Sequence, residues 1–219
     1  MPLQLILFDL DGTLLNTLQD IADSANAALM TTGFPPRPVD AYRYFVGEGM
    51  RMLAVKALPE NARDSETIDK VLQLIDSEYA KRWMRHTCIY DGLPELLDTL
   101  TAKNIKMAVF SNKPQVYTIA SVERFLAKWS FEAILGASEE IARKPDPSGA
   151  LLIALNLKIP VENFIYLGDT ATDMKTAAAA GMYPVGALWG FRPAEELMAG
   201  GAQKLVSKPS EILQFFINR

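Results

Sequence analysis

Apolar and polar positions divide this chain of 219 residues into two regimes. Residues 5–8 form an unbroken apolar run, Leu5-Ile6-Leu7-Phe8, that ends in Asp9-Leu10-Asp11-Gly12. A short apolar run without polar alternation, closed by a turn signal, predicts a strand buried on both faces. Over residues 17–30, Leu18, Ile21, Ala22, Ala25, Ala28 and Leu29 recur at helical spacing, and Gly33 with Pro35-Pro36 closes the segment. Helical patterning continues to about residue 87. Met52, Leu53 and Leu58 belong to one helix, while Ile68, Val71, Leu72, Ile75, Tyr79 and Trp83 form the face of another. From Gly92 the rhythm changes. Helices are predicted over 93–103, 116–127, 148–155 and 172–180, and apolar runs or short strands over 105–110, 131–135 and 164–167. The alternation continues through 183–188, 194–198, 204–206 and 210–216. This pattern predicts an α/β fold whose core is a Rossmann-like, doubly wound parallel sheet. Residues 1–15 and 88–219 would form the core, and residues 16–87 an inserted α-helical cap domain.

Composition narrows the class. With 49% hydrophobic residues the chain can fill one sizeable core, or a core and a smaller second domain. A formal net charge of -4 and no Lys/Arg-rich run argue against a nucleic-acid surface. A single cysteine, Cys88, excludes an internal disulfide and fits a reducing compartment. No apolar stretch approaches membrane-spanning length, and the first residues lack a signal peptide's basic start and cleavage site. A cytoplasmic protein without membrane or nucleic-acid partners is expected.

Ligands of such sheets bind at the carboxyl ends of the strands. Asp9 and Asp11 stand at the first of these ends, and a spacing of two would aim both carboxylates to one side. Two such charges ~4 Å apart repel by about 4 kcal/mol at an effective dielectric of 20, so something must neutralise them. Residues 105–110 deliver Ser111-Asn112-Lys113, and 164–167 deliver Gly168-Asp169-Thr170, with Asp173 four residues further on. Arg143-Lys144-Pro145 precede the helix at 148. Hard oxygen ligands of this kind suit Mg²⁺. Ser111 and Asp173 are each also readable as helix N-caps. A hydroxyl that satisfies the turn is one reading of Thr13, and Lys113, beside Pro114, is expected to be solvated. His86 and Cys88 have no partner motif and are expected to be structural, and Tyr90-Asp91-Gly92 reads as a hinge turn.

Asp9-Leu10-Asp11-Gly12-Thr13, Ser111-Asn112, Lys144-Pro145 and Gly168-Asp169-x-x-x-Asp173 occur in the order and spacing of the haloacid dehalogenase-like hydrolases, which this chain resembles over essentially its whole length. Within them, Asp11-Gly12-Thr13-Leu14-Leu15, Val46-Gly47-Glu48-Gly49, Tyr90-Asp91-Gly92, Arg143-Lys144-Pro145-Asp146-Pro147 and Trp189-Gly190 look like the phosphoglycolate phosphatase group. Asn16-Thr17 departs from the Asp-Ser common in relatives. The resemblance implies a Mg²⁺-dependent phosphatase of a small phosphorylated metabolite. Asp9 would be the nucleophile that forms an aspartyl-phosphate, and Asp11 the acid and then the base. Asp9, the backbone carbonyl of Asp11 and Asp169 would hold Mg²⁺, with Asp173 acting through water or by orienting these ligands. Ser111 and the Asn112 N–H would bind phosphoryl oxygens, and Lys144 would balance charge. Gly47, Glu48, Gly49 and Arg51 of the cap are expected to face the substrate.

Rival readings remain open at this point. Asp11 argues against a dehalogenase, which needs no proton donor, and Gly12-Thr13 is the phosphatase-like choice where phosphoglucomutase-like relatives commonly carry valine or isoleucine. A mutase, an inorganic pyrophosphatase or a nucleotidase of the same superfamily would use the same core residues. A receiver-like phospho-binding domain would be shorter and lack the cap.

Overall fold

The computed structural model describes residues 3–216. It divides into two compact units, Met1–Leu15 with Ile89–Arg219, and Asn16–Cys88.

In the first unit, β1 (Leu5–Phe8) is flanked by parallel strands and covered on both faces. The chain leaves and re-enters this unit through two very short strands, β2 (Leu15–Asn16) and β3 (Cys88–Ile89), which pair with one another. After β3 the sheet elements follow as α5 (Leu93–Ala102), β4 (Lys106–Pro114), α6 (Gln115–Phe125), β5 (Ala133–Ala137) and α7 (Ser148–Leu157). Then come β6 (Phe164–Gly168), α8 (Ala171–Ala180), β7 (Tyr183–Ala187), α9 (Ala194–Ala199), β8 (Lys204–Val206) and a closing 3₁₀ helix, Pro209–Phe216. The sheet order is β5-β4-β1-β6-β7-β8, with parallel pairing throughout. Strand order reverses between β1 and β6, the place where doubly wound sheets open a crevice at their carboxyl ends.

Burial on both faces explains the unbroken apolar run of β1. Ile6 and Phe8 pack into a layer with Leu93, Leu96, Leu97 and Leu100 of α5 and with Ile212 and Phe216. Leu5 and Leu7 face the opposite layer with Ala150, Ile153 and Ala154 of α7 and Ala177 and Ala180 of α8. Alternate side chains therefore meet two apolar layers, and neither side selects polar residues. The alanine-rich face of α8 brings that helix close to the sheet, and Gly181, at φ 73°, ends it.

The second unit is helical among its described residues: α1 (Leu18–Thr31), α2 (Tyr42–Phe45), α3 (Met50–Ala57) and α4 (Ser65–Arg82), with 3₁₀ turns at Val39–Ala41 and Glu60–Ala62. Asp64 caps α4 by accepting from the Thr67 N–H. The expected alternation from Gly92 onward is present, with one difference that matters. β4 continues through Ser111, Asn112 and Lys113 instead of ending at Phe110, so these residues are held in the strand and not in a loop. Ser111 therefore caps no helix. Residues 210–216, expected as an α-helix, form a 3₁₀ helix. Among the described residues no helix is long and apolar enough to cross a membrane.

Candidate active site

The site assembles where β1, β4 and β6 end. Asp9 follows β1 directly, and its N–H donates to the Leu167 carbonyl at 2.9 Å, prolonging the pairing with β6. That register sets Asp9 beside Asp169, which follows Gly168 at the end of β6. Asp173 sits in the first turn of α8, whose N-cap is Thr170. The Asp173 Oδ2 accepts from the Thr170 N–H at 3.0 Å and hydroxyl at 2.7 Å, closing a capping box. Asp173 is thus not itself the N-cap. Each of Asp9, Asp169 and Asp173 is buried and offers a carboxylate oxygen within 4.8 Å of the others.

Backbone without side chains lets these acids come so close. Gly12 lies at φ 92°, and a Cβ there would overlap the Asp169 carboxylate. A Cβ on Gly190 would overlap Asp169 and the Gly12 carbonyl. Asp169 is then oriented by two donors, the Thr13 hydroxyl to Oδ1 at 3.1 Å and the Phe191 N–H to Oδ2 at 2.7 Å. Thr13 therefore does more than satisfy its turn: its carbonyl accepts from the Trp189 indole at 3.0 Å while its hydroxyl holds a site carboxylate.

Two lysines divide the acids between them. Lys144 Nζ donates to Asp9 Oδ1 at 2.7 Å, Asp173 Oδ1 at 2.6 Å and the Phe110 carbonyl at 3.1 Å. The Asn112 side chain fixes the backbone of Lys144 from both sides, donating to its carbonyl at 3.0 Å and accepting from its N–H at 2.8 Å. Lys113 Nζ meets both oxygens of Asp11 at 2.9 and 3.2 Å. Lys113 is buried, against the expectation of a solvated side chain, because β4 carries it inward to a carboxylate that only the fold brings near.

Four carboxyl groups stand against two ammoniums, so ionising all four would leave a net negative charge in a buried place. Burial lifts the Asp9 carboxyl to about 7, opposed by the Lys144 ammonium and reinforced by Asp173. Asp169 is held well above the usual carboxylate range by burial and by Asp9 and Asp173, more than its two hydrogen bonds offset. Burial works against the Lys144 ammonium, but the Asp173 and Asp9 charges outweigh it and hold it well above the ordinary lysine value. Buried oxygen ligands with uncompensated charge are what a hard divalent cation needs. The Asp11 side chain stands outside the triad, engaged with Lys113.

Asp9, Asp11, Ser111, Asn112, Lys144, Asp169 and Asp173 are thus brought to one group of strand ends. Gly47, Glu48, Gly49 and Arg51 lie in the helical unit, where the two charges already have partners. Glu48 pairs with Lys56 at 2.8 Å, and Arg51 pairs with Asp69. From the sequence Lys113 reads as solvated, Asn112 contributes only its N–H and Gly190 belongs to a motif without a role, whereas each has a defined contact in the site. The Trp189-Gly190 dipeptide was the signal for the last, since a glycine after a tryptophan near a strand end marks a close approach.

Residues 6–187 match the family model of the haloacid dehalogenase-like hydrolases. The chain belongs to that family. A phosphoglycolate phosphatase of Psychrobacter arcticus is 32% identical over 203 residues, covering 90% of this chain and 88% of the relative. One from Pseudomonas putida is 29% identical over 192 residues, covering 86% and 70%. Among solved structures, a candidate phosphoglycolate phosphatase of Lactobacillus delbrueckii subsp. bulgaricus superimposes with a TM-score of 0.93 at 26% identity over the full length of both chains. A candidate β-phosphoglucomutase of Thermotoga maritima shares the fold, with a TM-score of 0.75 at 22% identity over 98% of each chain.

Proposed function

We propose that this haloacid dehalogenase-like hydrolase cleaves a small phosphorylated metabolite, phosphoglycolate or a close analogue, through an aspartyl-phosphate on Asp9, with Mg²⁺ as its cofactor and the cytoplasm as its setting. With phosphoglycolate phosphatases related over most of its length, the chain is a phosphoric monoester hydrolase. The observation that carries the mechanistic reading is the buried triad Asp9, Asp169 and Asp173 beside a lysine that touches two of its members.

Asp9, Asp169 and the backbone carbonyl of Asp11 would hold the ion, with Asp173 orienting Asp9 through Lys144. When bound, such an ion supplies positive charge that offsets repulsion between the Asp9 carboxylate and a phosphate dianion. An Asp9 oxygen attacks phosphorus in line, and the bond to the ester oxygen breaks. Asp11 gives its proton to that departing oxygen, then takes one from the water that cleaves the aspartyl-phosphate. Ser111 and the Asn112 N–H would bind phosphoryl oxygens, and Lys144, held rigid by the Asn112 side chain, places its charge where the transferring group becomes most negative.

Phosphate release across a metabolite panel, with Mg²⁺ and with chelator, tests this. Phosphoglycolate should give the largest kcat/KM, chelation should abolish turnover, and Asp9→Asn should lower kcat by at least ~10³-fold. Preference for pyrophosphate or a nucleotide would change the substrate assignment and leave the chemistry. Sugar-phosphate isomerisation with little free phosphate would replace hydrolysis by transfer.

A further inference from the structure

We propose that Lys113 is a positioning residue for Asp11, gripping the carboxyl that exchanges protons with the leaving oxygen and with water. The inference rests on the phosphatase reading above. Lys113 Nζ contacts both Asp11 oxygens, which stops rotation of the carboxyl about its own axis. Asp11 needs that restraint because it stands on the Asp11-Gly12-Thr13 turn, where Gly12 adopts a positive φ, and its side chain is the more open of the pair. Lys113 is the anchored partner. Its N–H donates to Ser111 Oγ at 3.3 Å, its carbonyl accepts from the Thr118 hydroxyl at 3.1 Å, and its side chain is buried.

The two lysines are not interchangeable. Lys144 spends its donors on Asp9, Asp173 and the Phe110 carbonyl, on the nucleophile's side of the site. Lys113 serves Asp11. A buried ion pair is weak evidence of stabilisation, since apolar residues often pack a site as well. Fixed geometry at a proton-transferring group is a stronger reason to place a lysine there. As the phosphorus–oxygen bond breaks, the proton on the Asp11 carboxyl passes to the ester oxygen. In the second half-reaction the attacking water returns one proton to Asp11 as its oxygen bonds to phosphorus.

The leaving group makes the test selective. Phosphoglycolate releases an alkoxide that needs a proton, whereas p-nitrophenyl phosphate releases a stable anion that does not. With Mg²⁺ present, Lys113→Met should lower kcat/KM for phosphoglycolate by ~100-fold and for p-nitrophenyl phosphate by less than about 5-fold. Lys113→Arg, which keeps the positive charge and can donate to both carboxyl oxygens, should recover most of the selective loss. If Lys113→Met does not fold, Lys113→Gln against Lys113→Arg carries the same comparison. Equal losses on both esters, or none on either, would overturn the positioning role while an Asp9-dependent wild type left the phosphatase reading standing. A wild type that releases phosphate from neither ester would remove both.

Discussion

Two buried carboxylates, one in each unit, meet the same desolvation in opposite ways. Asp20 on α1 of the helical unit is 1% exposed and Asp169 of the sheet unit is 0% exposed. Among the described residues the donors to Asp20 are neutral: the His86 N–H at 3.0 and 3.1 Å, the Thr87 N–H at 2.9 Å and the Thr87 hydroxyl at 2.8 Å. Asp169 also has two neutral donors, but it shares its surroundings with Asp9 and Asp173. A buried carboxylate ringed by dipoles ties chain segments together. Crowded by like charges, it stores electrostatic work that a cation can release. The helical unit places its other acidic pairings, such as Arg51–Asp69, Lys56–Glu48 and Lys81–Glu78, at or near the surface. The sheet unit gathers its buried acids, Asp9, Asp169 and Asp173, at the strand ends. One unit uses charge to hold its ends together, and the other uses it to build a site.

The sharpest way to break this contrast is Asp20→Ala. It leaves the His86 and Thr87 N–H groups unsatisfied, while the Thr87 hydroxyl keeps the Trp83 carbonyl at 2.9 Å, and should cost roughly 3 kcal/mol in urea melts, with metal affinity at the strand ends unchanged. Next in size is the pH response of the metal-free protein. Asp9 rises from 3.8 to about 7 on folding, so the folded state binds the extra proton between those values. The stability this contributes is complete below pH 3.8 and is lost as pH climbs toward about 7. Melts across that window should show a falling midpoint, and added Mg²⁺ should reverse the slope because ligation needs the ionised acids. A flat profile without metal would contradict the burial of Asp9 and its crowding by Asp173.

Asp169→Asn removes one of the like charges and keeps the shape. Near pH 8 the metal-free variant should be about 1–2 kcal/mol more stable than wild type while losing Mg²⁺-dependent turnover. Asp20→Asn should move stability the other way. The smallest expected effect is Arg51→Ala. An exposed pair with Asp69 is worth less than about 0.5 kcal/mol, so stability should barely change. An unchanged KM in that variant would also remove Arg51 from substrate recognition.

Much of the architecture was legible because burial leaves local traces. The unbroken run in β1, the helical stripe of α1 and the strand–helix rhythm after Gly92 all record which faces meet apolar layers. Lys113 left no such trace. Beside Pro114 it reads as a solvated side chain, and its partner Asp11 lies 102 residues away. Asn112 was legible as a residue of the site but not as the clamp on Lys144, 32 residues on. Nothing beside Asp20 in the sequence points to its donors, which arrive from 66 and 67 residues downstream.

By itself the sequence determined the order and kind of the elements and the acids that close β1 and β6, because hydrophobic period and turn chemistry act between neighbours. Only the tertiary structure decided which cation neutralises which acid: Lys144 reaches Asp9 across 135 residues, Lys113 takes Asp11, and Asp169 is left to two neutral donors. Charge pairing depends on separation in space, and it is the return of β4 and β6 alongside β1 that sets those separations.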